Sequence, residues 1–386
     1  MISPAGRHCL RWSIFCRVVD NFGDIGVCWR LARVLAMHHE RHVTLWLDDL
    51  ETLHRLCPAL SPQDDAQQLE GVLVRRWVPP FSDVGKDDVV IEAFACELPQ
   101  QALEEMAVRR PPPVWINLEY LSAEQWIEGC HRLPSPHPSL PLIRHFFFPG
   151  FTDGSGGLLR EPGLIERSTA FQADPATRED WLRTRLGRTP RADALVISLF
   201  AYEQPLIGEL LRRWAEGDRT IEVLVPEGRV LPDIARHFGR NELPVGACVQ
   251  DGALTLNVIP FSTQDDYDRL LWACDLNFVR GEDSFVRAQW AARSFVWHIY
   301  RQPEDAHLVK LEAFLDLFLA DAERSVAEAV AGFWRAWNGM GDAAAAWPAF
   351  AAVLPAFAAV CRTWSQAQAT RQDLATALLE FSETGV

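Results

Sequence analysis

The sequence predicts an α/β protein with two doubly wound domains, and three observations support this prediction. The chain has 386 residues, which is too long for one ordinary hydrophobic core and suits two. Its first half alternates short apolar segments with amphipathic, helix-like segments, and its second half repeats the alternation. Such a pattern indicates parallel sheets with helices on both faces. We place the domains at residues 1–172 and 173–365, with a closing helix at 366–386 that packs back towards the N-terminal domain.

The predicted strands are short apolar runs bounded by turn-forming residues. In the first half they are 12–19, 42–47, 71–78, 88–94, 114–120 and 143–151. In the second half they are 194–202, 221–228, 254–261, 274–281 and 294–300. A helix is predicted at 25–39, and the chain turns helical after about Arg301. Because ligands bind at the carboxyl ends of strands in open α/β sheets, the loops that follow strands are the places to look for chemistry.

Composition and charge exclude several classes of protein. The chain is 48% hydrophobic and 23% charged, which is typical of a globular protein. Its net charge of −15 argues against a general nucleic-acid binder. The nine cysteines include no C-x-x-C pair, so we interpret them as buried residues of a reducing cytoplasm and predict no metal site. No stretch approaches the ~18 apolar residues of a membrane span, and no signal peptide is evident, so we predict a cytoplasmic protein without membrane contact.

The loop DNFGDIG joins the first strand to the first predicted helix and carries two carboxylates, Asp20 and Asp24. Glycine-bearing turns at this position usually hold phosphate, but two negative charges would repel it. Carboxylates at the end of a strand suit general-base chemistry or the binding of a cation. The alternative is that Asp24 only caps the helix and Asp20 only stabilises the turn.

A second segment, RGEDS (280–284), begins at the end of the strand predicted at 274–281 and leads into a predicted helix. Asp283 or Ser284 can cap that helix, whose free N–H groups form an anion site. Arg280 adds a positive charge that suits phosphate, and Glu282 and Asp283 can accept hydrogen bonds from sugar hydroxyls. The alternative is an ordinary capped helix with an arginine–acid pair.

Aromatic residues follow two further strands. Phe261 can stack on a nucleotide base while Gln264 binds the edge of that base, and Phe200 and Tyr202 lie at the end of the strand predicted at 194–202. For each of these rings the alternative is a core aromatic at the end of a strand. The dinucleotide fingerprint G-x-G-x-x-G is absent, which argues against a nucleotide-sugar epimerase or dehydrogenase.

Several long stretches together resemble one bacterial family. RVVDNFGDIGVCWRLARVLA, SLFAYE, QDDYDRLLWACDLNFVRGEDSFVRAQWA and FVWHIY closely resemble the protein-arginine rhamnosyltransferases (EarP family) that modify translation elongation factor P. The resemblance runs from about Trp12 to the C-terminal helices. It implies a GT-B glycosyltransferase with two Rossmann-like domains facing a cleft. It also implies transfer of L-rhamnose from dTDP-β-L-rhamnose to one arginine, with inversion and without metal or cofactor.

The resemblance assigns roles to residues of this sequence. Asp20 and Asp24 correspond to the catalytic pair, with Asp24 as the general base, and Glu282 is a third catalytic candidate. The ligand of the first loop is then a guanidinium, which two carboxylates can hold and deprotonate. A non-catalytic nucleotide-sugar-binding protein of GT-B shape stays an alternative. The donor-binding residues implied are Phe200, Tyr202, Phe261, Gln264, Arg280, Glu282, Asp283 and Ser284.

Overall fold

The computed structural model describes residues 10–18, 22–81 and 83–384. They form two compact units, each built around its own sheet. The first unit runs to Pro162 and includes the segment from Arg371 onward, and the second is Gly163–Thr370.

The first unit is an eight-stranded sheet in the order β3-β4-β2-β1-β5-β6-β8-β7. Its strands are β1 Arg11–Cys16, β2 His42–Leu47, β3 Ala66–Leu69, β4 Val72–Arg76, β5 Val89–Ala93, β6 Val114–Leu118, β7 Pro134–Pro136 and β8 Ile143–Phe147. Its helices are α1 Phe22–His38, α2 Leu50–Leu56, α3 Gln100–Val108, α4 Trp126–Cys130 and, from the end of the chain, α14 Leu374–Thr384. One face of the sheet carries an aromatic cluster in which Phe15 of β1 stacks on Trp46 of β2 at 5.5 Å between ring centroids.

The second unit is a six-stranded sheet in the order β11-β12-β10-β9-β13-β14. Its strands are β9 Leu195–Leu199, β10 Ile221–Pro226, β11 Cys248–Asp251, β12 Leu254–Ile259, β13 Leu276–Arg280 and β14 Ser294–His298. Its helices are α5 Leu164–Ala173, α6 Pro175–Leu186, α7 Ile207–Ala215, α8 Leu231–His237, α9 Gln264–Ala273, α10 Asp283–Ala291, α11 Ala306–Phe318, α12 Arg324–Arg335 and α13 Ala343–Ala369. Every residue of β9, β10, β13 and β14 is buried, as expected for strands covered on both faces.

The sheets are parallel, as predicted, except at three edges. The short strands β3, β7 and β11 pair antiparallel with β4, β8 and β12. They have three or four residues each and are largely exposed, so they lack the apolar run that marks a buried strand. The prediction that the cysteines are buried also needs correction, because Cys248 is exposed and Cys130 is half-buried.

The unit boundaries differ from the predicted ones at both ends. Helix α5, assigned from sequence mainly to the first domain, belongs to the second unit, where Gln172 Nε2 donates to the Ala291 carbonyl at 2.8 Å. The single closing helix is two helices. α13 continues to Ala369, and α14 starts after Asp373, whose Oδ1 accepts from Thr376 N at 3.1 Å. The ring of Phe381 packs against His145 within the first unit.

Helix α13 opens a segment, Ala343–Glu383, that is long and apolar enough to cross a membrane by length and composition alone. The expectation that no stretch approaches this composition is therefore corrected. The large side chains of α13, including Trp347, Phe350 and Phe357, are buried in the second unit. Phe350 stacks on Phe333 of α12 at 4.4 Å, so one face of α13 packs on the second unit.

Candidate active site

Each sheet has a point where the strand order reverses, and ligands bind at such points in open α/β sheets. In the second sheet the order reverses between β9 and β13. Phe200 directly follows β9, and Arg280 is the last residue of β13. In the first sheet the order reverses between β1 and β5, and β1 leads towards Asp24. Phe200 and Arg280 therefore lie at the carboxyl ends of the strands that flank the second reversal, and Asp24 lies in the helix that follows a strand at the first.

The guanidinium of Arg280 packs against two aromatic rings. Its Cζ atom lies 4.5 Å from the ring centroid of Phe200 and 4.8 Å from that of Tyr202. All three side chains are buried, with exposed fractions of 6% for Arg280, 9% for Phe200 and 7% for Tyr202. Cation–π contact stabilises the arginine and fixes its position, because a desolvated guanidinium gains more from an aromatic face than an exposed one. The structure thus brings together three residues that the sequence nominated separately.

The turn between β13 and α10 is held by Ser284. Its Oγ accepts from Arg280 N at 3.0 Å and donates to the Arg280 carbonyl oxygen. Gly281 has φ +61°, a left-handed conformation that glycine adopts without strain. The Gly281 carbonyl accepts from Trp297 Nε1 at 2.9 Å. This turn therefore fixes the direction of the Arg280 side chain.

The predicted capping of α10 by Asp283 or Ser284 is wrong. The helix begins at Asp283, its cap residue is Glu282, and no side chain caps it by a hydrogen bond. The Ser284 hydroxyl is instead committed to the backbone of Arg280. At the start of any α-helix the first backbone N–H groups have no acceptor one turn earlier in the helix, which is the general condition for an anion site.

Residues at the start of α9 approach the same turn. Thr263 caps α9, and Gln264, its first residue, is buried. Gln264 Nε2 donates to Asp283 Oδ2 at 3.5 Å, which links α9 to the start of α10. Phe261 lies in the loop between β12 and α9 and is half-buried. Glu282 is also half-buried and stands immediately before α10.

In the first unit, the structure gives Asp24 a helical setting. The predicted loop is shorter than expected, because α1 begins at Phe22 and includes Gly23, Asp24 and Gly26. Asp24 lies in the first turn of α1, where a carboxylate is favoured by the helix dipole, and is only 2% exposed. Asp20 lies outside the described residues.

Two buried cysteines neighbour Asp24. Cys16 ends β1 and Cys28 lies on α1, one turn after Asp24. A hydrogen bond to Cys28, burial and the nearby carboxylates of Asp24 and Asp48 raise the pKa of the Cys16 thiol well above its ordinary value. The Cys16 thiol is therefore protonated at physiological pH, so Asp24 has a neutral thiol as a neighbour.

Sequence reasoning missed two features near these reversals. His298, the last residue of β14, lies beside Arg280 in the sheet register and packs its ring against Tyr202 at 5.3 Å. Phe94 follows β5 with φ +55° and stacks on Tyr120 at 4.5 Å between ring centroids. Strained backbone of this kind concentrates at functional sites, but the sequence gives no sign of it. A histidine at the end of a strand that adjoins the reversal was a usable signal for His298.

Among the residues that the structure describes, no three His, Cys, Asp or Glu side chains are grouped so that they could hold a metal ion. The donor-side candidates instead offer an arginine, amide groups and aromatic rings. Such groups bind phosphate and stack on bases without a metal. Independence from metal stays a prediction.

Comparisons with known proteins identify the family. A family model described as the elongation factor P (EF-P) rhamnosyltransferase EarP matches residues 12–383. The chain belongs to this family. A protein-arginine rhamnosyltransferase of Pseudomonas aeruginosa is 50% identical over 370 residues, which cover 96% of this chain and 98% of that protein. A solved structure described as the structural basis for EarP-mediated arginine glycosylation of translation elongation factor EF-P has a TM-score of 0.71 and 37% identity, and the match covers 97% of this chain and 99% of that one.

The fold extends beyond the EarP family. The spinosyn rhamnosyltransferase SpnG has a TM-score of 0.50 at 11% identity, covering 97% of this chain and 100% of that one, which is a likeness of fold alone. The predicted family, the GT-B fold class and the assignment as a glycosyltransferase enzyme are confirmed. The two alternatives, a nucleotide-sugar epimerase and a non-catalytic binding protein, do not match the activity for which this family is named.

Proposed function

We propose that this EarP-family protein transfers L-rhamnose from dTDP-β-L-rhamnose to an arginine side chain of EF-P, with inversion at the anomeric carbon and without metal, in the cytoplasm. The observation that carries the donor half of this proposal is the burial of Arg280 against Phe200 and Tyr202 at the strand reversal of the second sheet. A fixed, desolvated guanidinium at that position suits a diphosphate. Family membership over nearly the whole chain supports the acceptor half.

Different residues of the second unit bind different parts of the donor. The ring of Phe261 stacks on thymine, and Gln264 binds the edge of the base. The diphosphate binds Arg280 and the backbone N–H groups at the start of α10, because Ser284 already donates its hydroxyl proton to the Arg280 carbonyl. Asp283 binds ribose hydroxyls, and Glu282 orients the rhamnose.

The acceptor guanidinium must lose a proton to become a nucleophile, because its pKa lies above ~12. Asp24, with Asp20, holds the acceptor guanidinium and accepts this proton as the bond forms. The guanidine nitrogen bonds to the anomeric carbon, and the bond from that carbon to the β-phosphate oxygen breaks. The electron pair of the broken bond leaves with dTDP. Attack from the face opposite the leaving group inverts the anomeric carbon.

A direct test incubates the protein with EF-P and one nucleotide sugar at a time, with and without a chelator. We expect EF-P to gain a deoxyhexose on one arginine with dTDP-β-L-rhamnose, also in the chelator. Nuclear magnetic resonance of the modified EF-P reports the anomeric configuration, which inversion makes α. Transfer from a different nucleotide sugar, a retained β configuration or loss of activity in the chelator would each contradict the corresponding part of the proposal.

A further inference from the structure

His298 is a buried imidazole at the edge of the proposed donor site. It ends β14, lies beside Arg280 in the parallel register of β13 and β14, and is 5% exposed. Its ring packs edge-on against Tyr202, the ring on which the Arg280 guanidinium also lies, and against Trp337 at 5.6 Å. Nδ1 of His298 is buried and has no hydrogen-bond partner in the part of the chain that the structure describes. Such a group costs free energy unless a ligand or proton satisfies it.

The surroundings of His298 oppose its protonation. Burial first, and then the positive charges of Arg301 and Arg280 and the neighbouring His307, lower the pKa of His298 to about 3. The imidazole is therefore neutral without donor. The charged groups that act on His298 from the neighbouring elements are Arg280 of β13, Arg301 after β14 and His307 of α11, and the titratable ring that packs against it is Tyr202 after β9.

We propose that His298 belongs to the donor site and takes up a proton when the diphosphate of the donor binds beside Arg280. The proton comes from solvent and is released when the diphosphate leaves. The inference rests on the proposed function, because it requires a diphosphate at Arg280. It adds His298 as a donor-binding residue and couples donor binding to pH.

The electrostatics give the physical reason. Without donor, a charged His298 would repel Arg280 and Arg301 in a site with little water, so the neutral form is favoured. A diphosphate brings two negative charges into this low-dielectric site and reverses the sign of the local field. The imidazolium carries an N–H on both ring nitrogens and can then donate a hydrogen bond to the diphosphate. The neutral ring has an N–H on only one nitrogen. The donor thereby gains a second cationic contact that the empty site does not have to stabilise.

Calorimetric titration of the full chain with dTDP-β-L-rhamnose near pH 7 tests the inference without any substitution. Two buffers of different ionisation enthalpy give the number of protons taken up for each donor bound. The diphosphate of this donor is esterified at both ends and does not titrate near pH 7, so the uptake reports the protein. We expect about one proton at pH 6 and a smaller number at pH 8. In the pH range where one full proton is taken up for each donor bound, the affinity for the donor falls about tenfold for each unit by which pH rises.

His298→Asn assigns the proton, since it keeps an amide near the position of Nδ1 and cannot titrate. We expect proton uptake near zero, donor affinity about tenfold weaker at pH 6, and a smaller deficit at pH 8. His298→Gln is the second variant if the first does not fold. His145→Asn is the matched control, because its Nδ1 is also buried without a hydrogen-bond partner and burial also lowers its pKa, but it lies in the first unit. The control should keep the uptake of the unsubstituted protein.

The outcomes separate the inference from the proposed function. Tight donor binding without proton uptake overturns the role of His298 and leaves the donor assignment intact. Undiminished uptake in His298→Asn also overturns it, because another group then takes the proton. Absence of donor binding in the unsubstituted protein overturns both the inference and the proposed donor.

Discussion

The candidate residues of the second unit contact one another, whereas Asp24 of the first unit lies at the start of a helix. Arg280 rests on Phe200 and Tyr202, Ser284 grips the Arg280 backbone, and Gln264 reaches Asp283. Asp24 is buried in the first turn of α1, near the protonated thiol of Cys16. In the proposed function, the second unit supplies a pre-arranged donor site, while the first supplies the carboxylates of Asp24 and Asp20. Substitutions in the two units should therefore change different kinetic constants.

The largest expected effect is on turnover, from Asp24→Asn. Loss of a general base typically costs ~10²–10⁴-fold in rate, and the amide keeps the size of the side chain. We expect transfer to EF-P to fall by that factor while the affinity for dTDP is unchanged. The control is Asp48→Asn, which removes another carboxylate close to Cys16. Transfer at the normal rate by a folded Asp24→Asn protein would show that Asp24 only stabilises the start of α1.

Arg280→Lys should weaken donor binding without abolishing folding. A lysine keeps the charge but loses the planar fork and its stacking on two rings. We expect the Kd for dTDP to rise about 10–100-fold, since a hydrogen bond to a charged group is worth ~1.5–3 kcal/mol. Titration with thymidine, which lacks phosphate, should give the same Kd for both proteins. An equal loss for thymidine and dTDP would show that Arg280 only supports the fold.

Phe261→Ala should also weaken donor binding, through loss of stacking on the base. We borrow the range of ~1–3 kcal/mol measured for bases on aromatic side chains in single-stranded nucleic-acid sites. Both dTDP and thymidine should lose affinity, which separates Phe261 from Arg280. The matched control is Phe171→Ala, which removes a partly buried ring of the same unit that packs on Trp272. Unchanged affinity in Phe261→Ala would assign the ring to packing.

The smallest expected effect concerns Asp87, which lies in the first unit and has no role in the proposed reaction. The quantity that changes is the free energy of unfolding. Burial raises the pKa of Asp87 to about 6 although Ser13 Oγ donates to it at 2.5 Å. The folded state binds the Asp87 proton more tightly than the unfolded state does. The destabilisation caused by Asp87 therefore grows as pH rises from about 4 to 6, and it is constant above pH 6.

Asp87→Asn should therefore stabilise the protein by about 1–3 kcal/mol at pH 7.5 and by much less at pH 4. Chemical denaturation at the two pH values measures this difference. The half-buried neighbour Asp88 supplies the control, Asp88→Asn. A gain that does not depend on pH would contradict the burial argument.

The sequence predicted the interior of the fold better than its edges. Strands such as β2 and β10 are buried apolar runs, and their pattern is sufficient to locate them. Strand β7 has the sequence Pro-Ser-Pro and pairs only with β8, so its existence depends on a neighbour that local sequence does not reveal. The extent of α1 was underestimated, because Gly23 and Gly26 suggested a loop although burial of the helix outweighs their weak helix propensity.

The candidate site was predictable where it follows strands. Phe200 and Arg280 were nominated from their positions after strands, and the sheet order explains why they meet. His298 was missed because its partners, Tyr202 and Trp337, come from distant parts of the chain. The capping of α10 by Ser284 was predicted wrongly, because the Ser284 hydroxyl can bond to several backbone groups and in the structure it bonds to the Arg280 backbone.

The central claim is transfer of rhamnose to an arginine of EF-P with Asp24 as the base. Mass spectrometry of EF-P after incubation with dTDP-β-L-rhamnose and either the unsubstituted protein or Asp24→Asn tests it most directly. We predict one added deoxyhexose on a single arginine with the unsubstituted protein, and almost none in the same time with Asp24→Asn that still binds dTDP. Unmodified EF-P with both proteins, or equal modification by both, would contradict the account.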